Sequence, residues 1–279
     1  MTDPSAATLE AVVRLALSED LGDAGDVTTA ATVDPATRAQ ARLVSRAHGV
    51  LAGLGAAAAA FRAVGADRVT FTAEHADGDV VEQGDVLAVV DGPMSDLLTA
   101  ERTALNLVGH LSGVASLTRR WVDAVAGTGA RIRDTRKTMP GLRVLEKYAV
   151  RCGGGVNHRM SLSDAALVKD NHVIAAGGVV AAFELVRTRY PGLELEIEVD
   201  TVAQAREVVD AGADLVLLDN MSLDDLRAAV EYTAGRAKLE ASGGLTLDRA
   251  HDVAATGVDY LAVGALTHSA PVLDIGLDI

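Results

Sequence analysis

Arg136-Lys137, His158-Arg159 and Lys169 bring five cationic or hydrogen-bonding side chains into one short stretch of the chain. Between Arg131 and His172 there are nine Lys or Arg against four Asp or Glu, while the whole chain has a formal net charge of −14. Such a chain repels polyanions at large and gathers cations in one place. That pattern suits a concave site for a small, multiply charged anion, with arginine forks available for bidentate bonds to carboxylate or phosphate. Not every cation in the stretch fits this use. Arg143, Lys147 and Arg151 recur at i, i+4 and are expected on the solvated face of a helix.

Further reactive groups follow at regular intervals, each closing a short apolar run. They are Asp134-Thr-Arg136-Lys137, Lys169-Asp170-Asn171-His172, Glu198-Val-Asp200, Asp219-Asn220, Ser242-Gly243-Gly244 and Gly264. Glu198 and Asp219 close consecutive runs; paired carboxylates there suit Mg²⁺, held through water, or sugar hydroxyls. Glu196 points the same way as Glu198, and Glu194 lies further back. A glycosidase pair would use similar residues, but the surrounding Arg and Lys favour an anionic substrate. Ser242, Gly243 and Gly244, with Gly264 one unit later, form a phosphate cradle in which backbone N–H groups approach the anion. The competing reading is two glycine turns of purely conformational use. Lys137 or Lys169 could form a Schiff base as in aldolases, although neither has the apolar wall such a lysine needs. His158 and His172 lack a His-x-x-x-His or Cys partner for zinc, and Cys152 is expected to be a buried or loop thiol.

The elements that position these groups alternate. Strands are expected over 131–135, 166–170, 193–199, 214–219, 238–242 and 259–264, with helices such as 202–211 and 223–233 between them. This rhythm predicts parallel strands and a closed or nearly closed β/α barrel, whose strand C-termini share one face. An open doubly wound sheet is disfavoured, since no Gly-x-Gly-x-x-Gly turn follows the first strand. The N-terminal half predicts a helix over 9–21, turns over 22–29, strands over 39–45 and 69–73, and a helix over 53–64. A hammerhead-like β-structure is expected over 77–90, and a helix capped by Ser95 carries Glu101, Arg102 and Asn106. A carrier function is rejected, because a carrier needs a lysine at a hairpin tip and Arg68 is the sole Lys or Arg between Asp67 and Met94.

Bulk composition narrows the class. Hydrophobic residues make up 49% but aromatics only 3%, so Ala, Val and Leu build the interior. One cysteine excludes an internal disulfide and fits a cytoplasmic protein. The start of the sequence has neither a basic nor an apolar leader region, no apolar run is long enough to span a bilayer, and the charge argues against nucleic acid.

Taken in order, Glu19-Asp-Leu-Gly22, Gly25-Asp-Val-Thr-Thr29, Glu101-Arg-Thr-Ala-Leu-Asn106, Asp134-Thr-Arg-Lys-Thr138, Gly153-Gly-Gly-Val-Asn-His-Arg159, Val168-Lys-Asp-Asn-His172, Glu196-Ile-Glu-Val-Asp200, Leu218-Asp-Asn220, Ala241-Ser-Gly-Gly244 and Gly257-Val-Asp-Tyr-Leu-Ala-Val-Gly264 resemble the quinolinate phosphoribosyltransferase family. The resemblance implies an N-terminal α/β sandwich domain over 1–111, to which a tail over 268–279 returns, and an incomplete β/α barrel over 112–267. It implies transfer of phosphoribosyl from phosphoribosyl pyrophosphate to quinolinate, with Mg²⁺ and loss of pyrophosphate and CO₂, in NAD biosynthesis. It further implies a homodimer with shared sites, higher assembly being left open. By motif, Arg136, His158, Arg159 and Lys169 bind the quinolinate carboxylates, and Arg102 reaches the site of the partner subunit. Lys137 meets the pyrophosphate, Glu198 and Asp219 hold Mg²⁺ or the ribose hydroxyls, and Ser242, Gly243, Gly244 and Gly264 hold the 5′-phosphate. Proteins encoded beside molybdate transport genes resemble the family over the same span; the intact clamps here favour the biosynthetic enzyme.

Overall fold

The computed structural model describes residues 3–279. In chain order the first elements are α1 (Ala6–Leu21), α2 (Val27–Thr32), β1 (Arg38–Ser45), β2 (Gly49–Val50), α3 (Leu54–Gly65), β3 (Thr70–Ala73), β4 (Val80–Val81), β5 (Val86–Pro93) and α4 (Met94–Ala124). There follow β6 (Arg131–Arg133), α5 (Arg143–Cys152), β7 (Ala166–Val168), α6 (Asp170–Ala176), α7 (Val179–Arg189), β8 (Leu195–Val199) and α8 (Val202–Asp210). The last are β9 (Leu215–Asp219), α9 (Leu223–Thr233), β10 (Lys238–Ser242), α10 (Ala250–Ala254), β11 (Tyr260–Ala262), α11 (Ala265–His268) and β12 (Ile275–Asp278). They fall into two compact units. One comprises residues 3–119, Thr138–Gly154 and Leu266–Ile279; the other comprises Arg120–Lys137 and Gly155–Ala265.

The first unit is built on an antiparallel sheet of order β12-β1-β5-β3, with β2 and β4 forming a separate two-stranded ladder. Alternation along β1 buries Ala41, Leu43 and Ser45, as a half-buried strand requires. Gly78 and Gly84 turn the hammerhead segment at φ 99° and 98°, a left-handed conformation that glycine adopts without a Cβ penalty. Helix α4 docks through hydroxyls as well as apolar groups: Ser112 Oγ accepts from Ala52 N–H at 3.0 Å and donates to Ala52 O at 3.1 Å. Gly113 lies against the returning tail, where a Cβ would sit 2.1 Å from Pro271 O.

Three local expectations need correction. The stretch read as turns contains α2, which Asp26 caps by accepting the Thr29 N–H at 2.9 Å. Ser95 is no cap, because α4 begins at Met94 directly from β5. Lys147 lies on no solvated face: Leu145, Glu146, Lys147, Ala149 and Val150 of α5 are all buried. A helix enclosed on more than one side gives no reliable polar stripe.

The second unit is a parallel sheet of order β6-β11-β10-β9-β8-β7. Strands β7 to β11 follow one another in chain order and β6 joins β11, as in a barrel. The two edge strands β6 and β7 do not pair, and a single bridge from Arg133 to Val156 extends the sheet beyond β6. The result is the expected incomplete barrel. Residues alternate across it: Ile197, Val216, Leu218, Leu239 and Leu261 are buried hydrophobics, while Arg133, Glu196 and Glu240 are buried charges. Arg133 Nη1 donates to Glu240 Oε2 at 2.7 Å, and His158 Nε2 lies 2.5 Å from Glu196 Oε2.

Two predictions follow from this packing. Gly113→Ala should lower unfolding stability by about 1–3 kcal/mol through overpacking, although alanine is the better helix former; an unchanged or raised denaturant midpoint would contradict the contact. Burial pushes Glu196 and Glu240 up to about 7. Their folded pKa values exceed the unfolded ones, so their stabilising contribution is complete below about pH 4.5 and lost as pH rises through about 7. Denaturant titrations should therefore show the stability advantage of wild type over Glu240→Gln to be larger at pH 5 than at pH 8.

Candidate active site

Because side chains alternate, the same strand faces that bury Glu196 and Glu240 carry Glu198, Leu217, Asp219 and Ser242 to the C-terminal rim. There they line a cavity of about 580 Å³ together with Arg136, Lys137, His158, Arg159, Lys169, Gly243 and Gly244. The barrel thus gathers residues far apart in sequence into one pocket. Gly264 lies outside this lining, directly before α11. Arg102 belongs to the other unit, where it is exposed on α4 beside Glu101. A larger groove of about 1070 Å³ follows the outer side of β7, α6 and α7, but no carboxylate lines it and alanine and leucine dominate its wall. The predicted site residues therefore gather in the smaller cavity.

The cations of the pocket are held close enough to feel one another. Burial is the main cause that depresses Arg159, and the neighbouring Arg136 guanidinium is the next. Arg159 Nη1 donates to Ala165 O at 3.0 Å, which aims the guanidinium. Arg136 Nε is buried without a hydrogen-bond partner, a costly arrangement unless an anion completes it. Lys169 Nζ donates to Glu198 Oε2. Two like charges and a third cation, set around one small volume, favour a ligand bearing two negative charges.

His158 sits differently from the clamp the motif implies. It is buried, its Nε2 meets Glu196, and its Nδ1 accepts the Arg159 N–H at 2.7 Å. Both ring nitrogens are thus used inside the protein, and His158 steers the main chain that bears Arg159. Asp134, also fully buried, accepts the His158 N–H at 2.8 Å and is bonded by the Asn157 side-chain amide, tying this loop to the end of β6. His172 is a local cap whose Nδ1 accepts the Lys169 N–H at 3.0 Å. Cys152 lies at the end of α5, its thiol pushed up to about 11 by burial and then by Asp77, so it is no ready nucleophile.

Glu198 and Asp219 come from neighbouring parallel strands, with Val199 level with Leu218. They offer hard oxygen ligands to the cavity, the donor set Mg²⁺ prefers when phosphate oxygens and water complete its shell. Among the described residues, the three-membered cluster with metal-ligand spacing is instead His158, Glu196 and Glu240. There the Arg133 guanidinium already supplies positive charge to Glu240. Arg133, Glu196 and Glu240 escaped assignment as site residues; their signal was a charged residue at an inward strand position.

The rim turn completes the pocket. Gly243 and Gly244 take φ 85° and 58°, and no Cβ at Gly244 would meet an atom closer than 3.8 Å. The backbone there is open to an approaching anion.

Known proteins resemble this chain in sequence and fold. The family model described as the quinolinate phosphoribosyl transferase N-terminal domain matches residues 26–112, and that of the C-terminal domain matches residues 114–278. A nicotinate-nucleotide pyrophosphorylase (carboxylating) from Mycobacterium leprae is 51% identical over 273 residues, spanning 96% of this chain and 95% of its own length. A probable enzyme of the same name from Bacillus subtilis is 40% identical, covering 94% of this chain and 90% of its own. The crystal structure of NadC from Streptococcus pyogenes superposes with a TM-score of 0.95 at 40% identity, over 100% of this chain and 98% of that one. With both domains matched in order and the cation-lined barrel mouth in place, the chain belongs to the quinolinate phosphoribosyl transferase family.

Proposed function

We propose that the protein transfers the phosphoribosyl group of phosphoribosyl pyrophosphate to the ring nitrogen of quinolinate, releasing pyrophosphate and CO₂ and giving nicotinate mononucleotide for NAD biosynthesis. The observation that carries this reading is the pair Arg136 and Arg159, two guanidiniums that line one cavity at the barrel mouth close enough for repulsion, with the Arg136 Nε buried and unpartnered. A pyridine with two carboxylates relieves that repulsion; one with a single carboxylate relieves it less. Lys169 completes the clamp, and His158 supports it through the Arg159 main chain.

The chemistry asks little of the protein beyond placement. The ring nitrogen of quinolinate attacks the anomeric carbon while the bond to pyrophosphate breaks, and positive charge builds on the ribose. Glu198 and Asp219 face that charge or the ribose hydroxyls; Lys137 meets the departing pyrophosphate; Ser242, Gly243, Gly244 and Gly264 hold the 5′-phosphate. Glu198 and Asp219 would hold Mg²⁺, which would supply Lewis acidity to the pyrophosphate leaving group. The adjacent carboxylate then leaves as CO₂, its bonding pair staying on the ring carbon as an ylide stabilised by the quaternised nitrogen, and that carbon takes a proton from water. No side chain needs to act as acid or base.

Arg102 supports a composite site in a homodimer. It is exposed on α4, and among the described residues its ion-pair partner is Glu101, a loose 3.8 Å away. A single cysteine fits a cytoplasmic protein, and no helix among the described residues is long and apolar enough to cross a membrane.

The direct test is incubation with quinolinate, phosphoribosyl pyrophosphate and Mg²⁺, following nicotinate mononucleotide and CO₂; absence of both products would reject the reading. Arg159→Ala should raise the KM for quinolinate by roughly 30-fold or more, as loss of one member of a charge pair costs about 2–5 kcal/mol, and change that for phosphoribosyl pyrophosphate far less. Equal losses for the two substrates would reject the clamp. Arg102→Ala and Lys137→Ala should each be inactive alone. Mixed with verified subunit exchange, they should regain about a quarter of wild-type activity, one intact site in each mixed dimer. No recovery would count against the shared site.

A further inference from the structure

We propose that Asn220 is a positioning residue that locks the Asp219 carboxylate to the Ser242-Gly243-Gly244 turn and thereby sets the affinity for the phosphoribosyl donor. The inference rests on the reading of Asp219 and the glycine turn as the donor site. Asn220 follows β9 directly, lines the cavity and has φ 52°. That left-handed conformation is unfavourable for most residues, and asparagine is among the few that adopt it readily.

Three contacts explain why the chain adopts it here. The Asn220 N–H donates to Ser242 O at 2.9 Å, joining the ends of β9 and β10 past the last ladder pair. Its side-chain Nδ2 donates to Asp219 Oδ2 at 2.7 Å. Its amide also packs under Gly243: a Cβ on that glycine would meet Asn220 Oδ1 at 2.3 Å and Cγ at 2.5 Å. One oxygen of Asp219 is therefore held by a donor that is itself fixed to the neighbouring strand end. The other oxygen is left to face metal or ribose. Gly243 is required twice over, for its φ of 85° and for the space the amide occupies. Phosphate turn and carboxylate thus move as one body, which fixes the span between the 5′-phosphate and the reacting end of the ribose.

The substitutions separate backbone from amide. Asn220→Gly keeps the left-handed backbone and removes the side chain; Asn220→Asp keeps the shape and replaces the donor by a second negative charge. With Mg²⁺ present, both should weaken phosphoribosyl pyrophosphate by about 10-fold or more, the size of a lost hydrogen bond to a charged group. The KM for quinolinate and the thermal midpoint should stay within error of wild type. Gly243→Ala should weaken the donor strongly in the wild-type background and less in the Asn220→Gly background, where the amide no longer blocks the added methyl. Calorimetric titration of phosphoribosyl pyrophosphate into each variant, alongside initial rates for both substrates, reads all of this. Unchanged donor affinity in Asn220→Gly, equal losses for both substrates, or strictly additive effects of the two substitutions would overturn the positioning role. Failure of the wild-type protein to bind the donor would instead reject the donor-site reading, and the proposal with it.

Discussion

Two guanidiniums, Arg136 and Arg159, line one cavity at the mouth of the barrel, and holding them there partly out of water is the constraint around which the mouth is arranged. Two guanidiniums in one half-buried pocket raise each other's energy, so the fold must restrain both. Arg159 is restrained on two sides, through its guanidinium to Ala165 O and through its main chain to His158. His158 in turn rests on Glu196, and Asp134 anchors the loop that carries it. Glu196 beneath the pocket thus serves the cations above it, through His158 and by direct attraction to Arg159 and Lys169. This layering gives the buried polar core of the barrel a role that hydrophobic residues of equal volume could not fill.

Glu196 and Glu240 lie deep in the barrel at 2% and 0% exposure, and desolvation pushes both up to about 7. Arg133 opposes that push, by attraction to both. A buried charge left alone is costly, and the pairing of Arg133 with Glu240 and of His158 with Glu196 offsets part of that cost. Each group therefore constrains the others, and the inward faces of β6, β8 and β10 become a single electrostatic unit. Upward of it, the same alternation delivers Glu198, Asp219 and Ser242 to the rim.

Much of this was legible in the residues because the barrel writes its site at strand ends. The runs closing at Glu198, Asp219 and Ser242 end within a residue of β8, β9 and β10, since apolar strands and polar loops differ sharply in composition. What was hidden depends on tertiary surroundings. Lys147 looked solvated because its i, i+4 partners are charged, yet α5 is enclosed. Ser95 looked like a cap, but β5 runs into α4 without a break. Glu240 resembled any charged residue within a strand until its neighbours were known. Asn220 was visible as part of a strand-end motif, but its left-handed φ and its seat under Gly243 have no one-dimensional signal.

The central claim is that paired cations at the barrel mouth select a dianionic pyridine. Calorimetric titration of the wild-type protein with quinolinate and with nicotinate, at low and at high salt, tests it most directly. The account predicts that quinolinate binds at least about 10-fold more tightly, as one lost charge-assisted bond requires, and that salt weakens quinolinate more than nicotinate. Equal affinities, or equal salt dependence for the two ligands, would contradict it.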